Sequence, residues 1–170
     1  MVIIREESAE DITAIDKVNE LAFARRDEAE LVNALRDNQK ISFSLVADQD
    51  GDIVGHILFS PMRIISEDGP VCPALGIGPV AVLPVYQRQG IGAQLMEESL
   101  AKCRAGGHRI VLVLGHPSYY PRFGFRPASQ YGIKCAYEVP DEAFMALELE
   151  PNALVQVSGI AHYEPEFDGV

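Results

Sequence analysis

The stretch Val82-Leu83-Pro84-Val85-Tyr86-Gln87-Arg88-Gln89-Gly90-Ile91-Gly92-Ala93 constrains this chain more than any other. An apolar run ends at Pro84, a short polar loop follows, and two glycines one residue apart open an amphipathic segment. The pattern reads as a strand, a tight turn and an exposed helix N-terminus. The first turn of a helix leaves backbone N–H groups without partners, and the helix dipole adds roughly half a positive charge there. Such a terminus accepts an anion. Gly90 and Gly92 have no Cβ, so a phosphate could approach the backbone closely. An ordinary strand-to-helix turn fits the same residues, and the rest of the chain has to decide between the two.

The surrounding pattern is that of one α/β domain over residues 1–170, with antiparallel hairpins around a central strand–helix–strand unit. Val2–Arg5 reads as a short strand. Ser8 and Asp11 form a helix N-cap pair ahead of Ile12, Ile15, Val18, Leu21 and Ala22, which recur at helical spacing. A loop at 23–27 leads to a second helix with Leu31, Val32 and Leu35 on its apolar face. Residues 41–48 and 52–66 are expected strands joined at Asp50-Gly51. Residues 71–83 form the next, where Pro73 and Pro79 predict an irregular start and a bulge. A helix over 91–105, with Ile91, Leu95, Leu100 and Cys103 inward, stops at Gly106-Gly107. The wholly apolar Ile110–Leu114 suits the centre of a sheet. Weaker strands are expected at 133–139, 144–149 and 153–163. Gly90-Ile91-Gly92 lacks the longer Gly-x-Gly-x-x-Gly spacing and sits mid-chain, which disfavours a dinucleotide fold.

Composition excludes several classes. A formal net charge of −11 argues against nucleic acid or an anionic membrane as partner and suits a cationic substrate such as an amine. No apolar run approaches the ~18–20 residues that cross a bilayer. The first residues turn acidic at once, without a basic-then-apolar leader pattern, so a cytoplasmic protein is expected. Cys72, Cys103 and Cys135 are widely spaced, with no Cys-x-x-Cys pair, which predicts neither a disulfide framework nor a metal site.

A second constellation follows the strand at 110–114: His116-Pro117-Ser118-Tyr119-Tyr120-Pro121-Arg122-Phe123-Gly124-Phe125. Alone, these aromatic residues read as packing. Together with Val80-Ala81-Val82-Leu83-Pro84 and Gln87-Arg88-Gln89-Gly90-Ile91-Gly92-Ala93, they resemble the GNAT superfamily of acetyl-CoA-dependent N-acetyltransferases. The second run is similar to that superfamily's motif A, Gln/Arg-x-x-Gly-x-Gly/Ala, and Tyr120 matches the tyrosine that precedes a Gly-Phe pair. The two motifs stand in the family's order, and the element layout is similar over essentially the whole chain. Leu114-Gly115 and residues 116–125 further resemble a bacterial subgroup of predicted acetyltransferases.

The resemblance implies a mixed, mostly antiparallel sheet of about seven strands flanked by about four helices. It implies that Val80, Ala81 and Val82 pair with the pantetheine arm of acetyl-CoA, admitted by a splay between this strand and the next. Amides from Arg88 through Gln89, Gly90, Ile91 and Gly92 to Ala93 would hold the pyrophosphate, and Arg88 could add a charge. Attack of an amine on a thioester needs proton removal, an oxyanion donor and an acid for the thiolate. The resemblance offers the Val82 N–H as oxyanion donor and Tyr120 as general acid, with Tyr119 as the other candidate donor. Residues 110–114 carry no carboxylate to serve as base, which leaves His116, His108, water or an amine captured neutral. Val113 stands seven residues before Tyr120, where many relatives carry an asparagine. The acceptor is expected to be a small-molecule amine or a protein amino group, with no metal involved, and the family admits a homodimer. The competing reading is a catalytically silent acyl-CoA-binding or sensory module with the same fold.

Overall fold

A computed structural model describes residues 1–170. The chain divides into two compact units, each gathered from separate stretches of sequence. The first comprises Met1–Ser60, Gly78–Ser99 and Pro165–Val170; the second comprises Pro61–Ile77 and Leu100–Glu164.

In the first unit, β1 (Val2–Glu6) pairs antiparallel with β2 (Phe43–Gln49), and β2 with the first part of β3 (Asp52–Ile65). The β2–β3 hairpin turns at Asp50 and Gly51, both at positive φ, and Asp48 Oδ1 accepts the Gly51 N–H at 2.8 Å. A register shift follows Ala47. Between β1 and β2 lie α1 (Ile12–Phe23) and α2 (Asp27–Asp37). The Asp11 carboxylate accepts the Ser8 N–H at 2.7 Å and a bidentate pair from Arg5, so one carboxylate closes the helix entry and ties it to β1. Those bonds hold the Asp11 carboxyl down to about 2. Ala24 in the left-handed region ends α1. Ile15, Leu31, Val32, Leu35, Val46 and Leu58 form one core cluster of this unit, with Phe167 packed against it. Glu166 accepts from Lys40 Nζ at 3.0 Å and from Asn38 Nδ2 at 2.6 Å. A buried polar chain crosses the core. Asn19 Nδ2 donates to the Ile15 carbonyl at 3.0 Å and to His56 Nδ1 at 3.1 Å. That leaves His56 Nε2 to donate to Ser44 Oγ, 2.7 Å away.

The second unit holds the latter part of β3, the first part of β4 (Val71–Val82), the end of α3 (Ile91–Ala105) and all of β5–β9. These are β5 (Ile110–Leu114), β6 (Arg126–Pro127), β7 (Ile133–Cys135), β8 (Phe144–Glu148) and β9 (Gly159–His162). β4 runs parallel to β5 through Leu75↔Val111 and Gly76↔Leu112, β5 pairs antiparallel with β8, and β8 with β6. β9 adds antiparallel to β3 at 63–65, and β7 parallel to β9. The parallel ladder therefore has two rungs, although both strands continue beyond it. No helix of the chain is long and apolar enough to cross a membrane.

The expected mixed, mostly antiparallel class stands, but the element counts change. There are nine strands and three α-helices rather than about seven and about four. The strand expected over 153–163 is confined to 159–162, because Asn152 and Gln156 have positive φ and residues 151–156 form turns. The run expected over 133–139 narrows to 133–135. β4 is a single twelve-residue strand that begins at Val71 despite Pro73.

Candidate active site

The turn between β4 and α3 has the geometry of an anion cradle. Leu83 N–H donates to the Val54 carbonyl at 2.8 Å, then Pro84–Tyr86 form a 3₁₀ turn with the Tyr86 N–H on the Leu83 carbonyl. The Gln87 side chain reaches back to the Val82 carbonyl at 2.9 Å. Arg88 and Gly90 have φ of 64° and 84°, with Gln89 between them outside the positive region. Alternating φ sign over successive residues turns neighbouring N–H groups toward a common point, the backbone arrangement that binds anions. Gly90 meets nothing within 4 Å where a Cβ would stand, so φ alone favours glycine there. Gln94 N–H to Gly90 O, at 3.0 Å, opens the helix. Gly90 is thus its N-cap, and the amides of Ile91, Gly92 and Ala93 precede the first helical bond. Residues 87–90 are exposed, whereas Ile91 is buried and anchors the helix.

Strand alternation sorts the three β4 residues singled out from sequence. Because the Leu83 N–H bonds to β3, the polar groups of Ala81 lie on that same side. Those of Val82, and by the same period Val80, face away from β3. Val80 and Val82 therefore carry their backbone groups on the side away from β3, whereas Ala81, 1% exposed, carries its own toward β3.

Tyr120 belongs to the second unit. It opens a short 3₁₀ turn, Tyr120–Phe123, which Gly124 ends at φ 99° with its N–H on the Pro121 carbonyl. The His116 carbonyl accepts the Tyr119 N–H at 3.1 Å, so His116 serves this turn through its backbone. The half-buried Tyr120 ring makes edge contacts with Tyr119 at 5.2 Å and Phe125 at 5.8 Å. Burial, with Tyr119 beside it, pushes its phenol up to about 12. Arg122 lies over the Tyr119 ring at 4.5 Å, which leaves Tyr119 engaged in a cation–π contact. Val113, at the asparagine count, is buried in β5 opposite Met145. Cys103 is buried, its thiol pushed up to about 12 by desolvation, which excludes it as a nucleophile.

A further tyrosine had no motif to announce it. Tyr163, just past β9, is buried with its ring stacked on Tyr137 at 5.9 Å, and its hydroxyl meets the Leu114 backbone N–H. Only the fold brings residues 114 and 163 together, so no local spacing could have shown it.

The known domain described as the acetyltransferase (GNAT) domain matches residues 3–128. The chain is 33% identical over 168 residues to the uncharacterized N-acetyltransferase YhbS of Escherichia coli, covering 98% of this chain and 99% of that one. Its fold superposes on the crystal structure of YhbS in complex with CoA with a TM-score of 0.92, covering 98% and 91% of the two chains. A GNAT family acetyltransferase from Brucella melitensis, crystallised with acetyl-CoA, gives a TM-score of 0.81 at 36% identity, with 99% of each chain covered. With the glycine turn on α3 and the Tyr-before-Gly-Phe turn after β5 both in place, the chain belongs to the GNAT acetyltransferase family. It is accordingly an acyltransferase.

Proposed function

We propose that residues 1–170 act as one GNAT domain that transfers the acetyl group of acetyl-CoA to a primary amine by direct attack on the thioester. The observation that carries this reading is the α3 entrance, where three amides precede the first helical bond behind alternating φ at 88–90. Solved relatives at 33% and 36% identity hold CoA and acetyl-CoA, which supports extending that ligand to this chain. In this reading the amides of Arg88–Ala93 take the pyrophosphate, and Val80 and Val82 pair with the amide-bearing pantetheine arm. Ala81 supports that edge by packing alone.

For the chemical step, the Val82 N–H is the donor for the oxyanion that forms as the amine nitrogen adds to the carbonyl carbon. Tyr120 supplies the proton, or a strong hydrogen bond, to the departing thiolate. A phenol raised to about 12 stays protonated throughout the neutral range. It is a weaker acid than a thiol, whose ordinary value is about 8.5. Hydrogen-bond stabilisation of developing sulfur charge is therefore its larger contribution. β5 carries no carboxylate, so the amine proton leaves to His116, His108 or water, or the amine arrives neutral. The acceptor is a small-molecule amine or a protein amino group, and the charge of −11 favours a cationic one.

The deciding experiment measures free thiol from acetyl-CoA across a panel of polyamines, aminoglycosides, amino acids and peptide amines. Amine-dependent thiol release is expected. Saturable acetyl-CoA binding without release on any amine would instead identify a silent acyl-CoA-binding module.

A further inference from the structure

Gly115 follows β5 directly, and the space its missing side chain leaves is filled by Tyr120. A Cβ at 115 would lie 2.4 Å from Cε2, 3.1 Å from Cδ2 and 3.2 Å from Cζ of that ring. The crowded part is the Cδ2–Cε2 flank of the ring, centred on Cε2, the neighbour of the carbon that carries the phenol oxygen. Side-chain carbons do not approach ring carbons at 2.4 Å, so any residue larger than glycine must move either the backbone at 115 or the ring.

The backbone is clamped from both sides. Gly115 N–H donates to the Ala143 carbonyl at 2.9 Å, which continues the β5–β8 ladder past Leu114↔Phe144. One residue earlier the Leu114 N–H points the other way, past the last rung to β4 at Leu112, and meets the Tyr163 hydroxyl. Tyr163 is itself fixed, 9% exposed, by stacking on Tyr137 and by an edge contact with Phe144 at 6.5 Å. The ring of Tyr120 is the part that yields. Tyr119 and Phe125 bound it on other sides, so it yields outward and carries its hydroxyl with it.

We propose that Gly115 is a positioning residue for Tyr120, its absent side chain seating the phenol while Ala143 and Tyr163 hold the strand end on either side. The catalytic consequence rests on the general-acid reading of Tyr120; the seating itself does not. Displacement of a reacting group by about 1 Å costs on the order of 10²-fold in rate, so a methyl group at 115 is enough to be read kinetically.

The test compares Gly115→Ala, Tyr120→Phe and the double variant in steady-state kinetics. A phenol titration by NMR of ¹³Cζ-tyrosine protein accompanies them. Gly115→Ala is expected to lower kcat at least tenfold, roughly, with KM for acetyl-CoA within about twofold, and to add no loss to Tyr120→Phe. Losses that multiply in the double variant would overturn the proposal. In the titration, the Tyr120 phenol is expected to fall from about 12 toward its ordinary value in Gly115→Ala. An unmoved resonance and titration would overturn the seating whatever the kinetics. If Tyr120→Phe keeps the parent kcat, the acid role fails, and the titration still decides the seating. Tyr163→Phe keeps the ring and removes the hydroxyl that meets Leu114, and so covers the case in which Gly115→Ala does not fold. It too is expected to lower kcat, by roughly threefold, without adding to Tyr120→Phe. Multiplying losses there would overturn the clamp.

Discussion

Tyr120 is half-buried and His56 fully buried, and their surroundings give these two titratable groups opposite jobs. Tyr120 sits among rings that raise its phenol to about 12, so the protonated form persists across any working pH. An acid must be protonated to act. A Tyr120-dependent loss of kcat is therefore expected only above about pH 11, and a profile from pH 7 to 10.5 should show no descending limb that Tyr120→Phe abolishes. The same substitution should lower kcat at least tenfold, roughly, and leave acetyl-CoA affinity within about twofold, as calorimetry with the parent would show. His56 is fully buried and pushed down to about 3, by desolvation first and then by the charge of Arg36. It stays neutral in the fold while the unfolded chain takes up its proton below about 6.5. Its contribution is complete above that pH and falls as pH drops toward 3, by at most about 1.4 kcal/mol per unit. Urea unfolding at pH 8, 6 and 5 should show this slope, and His56→Asn should flatten it. Tyr120 was legible because its spacing to Gly124-Phe125 is local. The chain Asn19–His56–Ser44 was not, since its members come from three elements and share no pattern.

The turn into α3 was readable because helix entry is a local event written in consecutive residues. The glycine at 90 is required by a φ of 84° and not by crowding. Gly90→Ala is therefore expected to cost about 1 kcal/mol of stability through backbone strain. It should also weaken acetyl-CoA binding severalfold, measured by calorimetry against an unchanged far-UV spectrum. The segment after β8 shows the opposite case. Its apolar residues alternate well enough to suggest a long strand, yet Asn152 and Gln156 adopt left-handed φ, and the Leu154 N–H goes to the Glu148 carboxylate at 2.9 Å. A side-chain acceptor six residues away took the bond that a strand would have supplied. β6 is two residues long and exists only through its pairing with β8, so periodicity could not have marked it.

At the scale of the whole molecule, the class was legible from the order of apolar runs, and the finer topology was not. Sequence order places β9 last, yet it joins β3 at 63–65, beyond where β2 has stopped at Phe59. A ligand that binds only the folded chain raises its stability by RT ln(1 + [L]/Kd), about 2.7 kcal/mol at a hundredfold excess over Kd. For a chain of this size that is an increase of roughly 5–10 °C in Tm with acetyl-CoA, read by scanning fluorimetry. No shift at saturating ligand would count against the α3 cradle.

The discontinuity of the first unit has a consequence for how this protein is made. Its helices and hairpin are synthesised first, but Phe167, which packs on that core, and Glu166, which accepts from Asn38 and Lys40, are among the last of the described residues. On the ribosome the early half must wait, with part of its apolar surface uncovered, until more than a hundred further residues have been added. The arrival of residues 166 and 167, rather than completion of the helices and hairpin, is then the event that covers that surface.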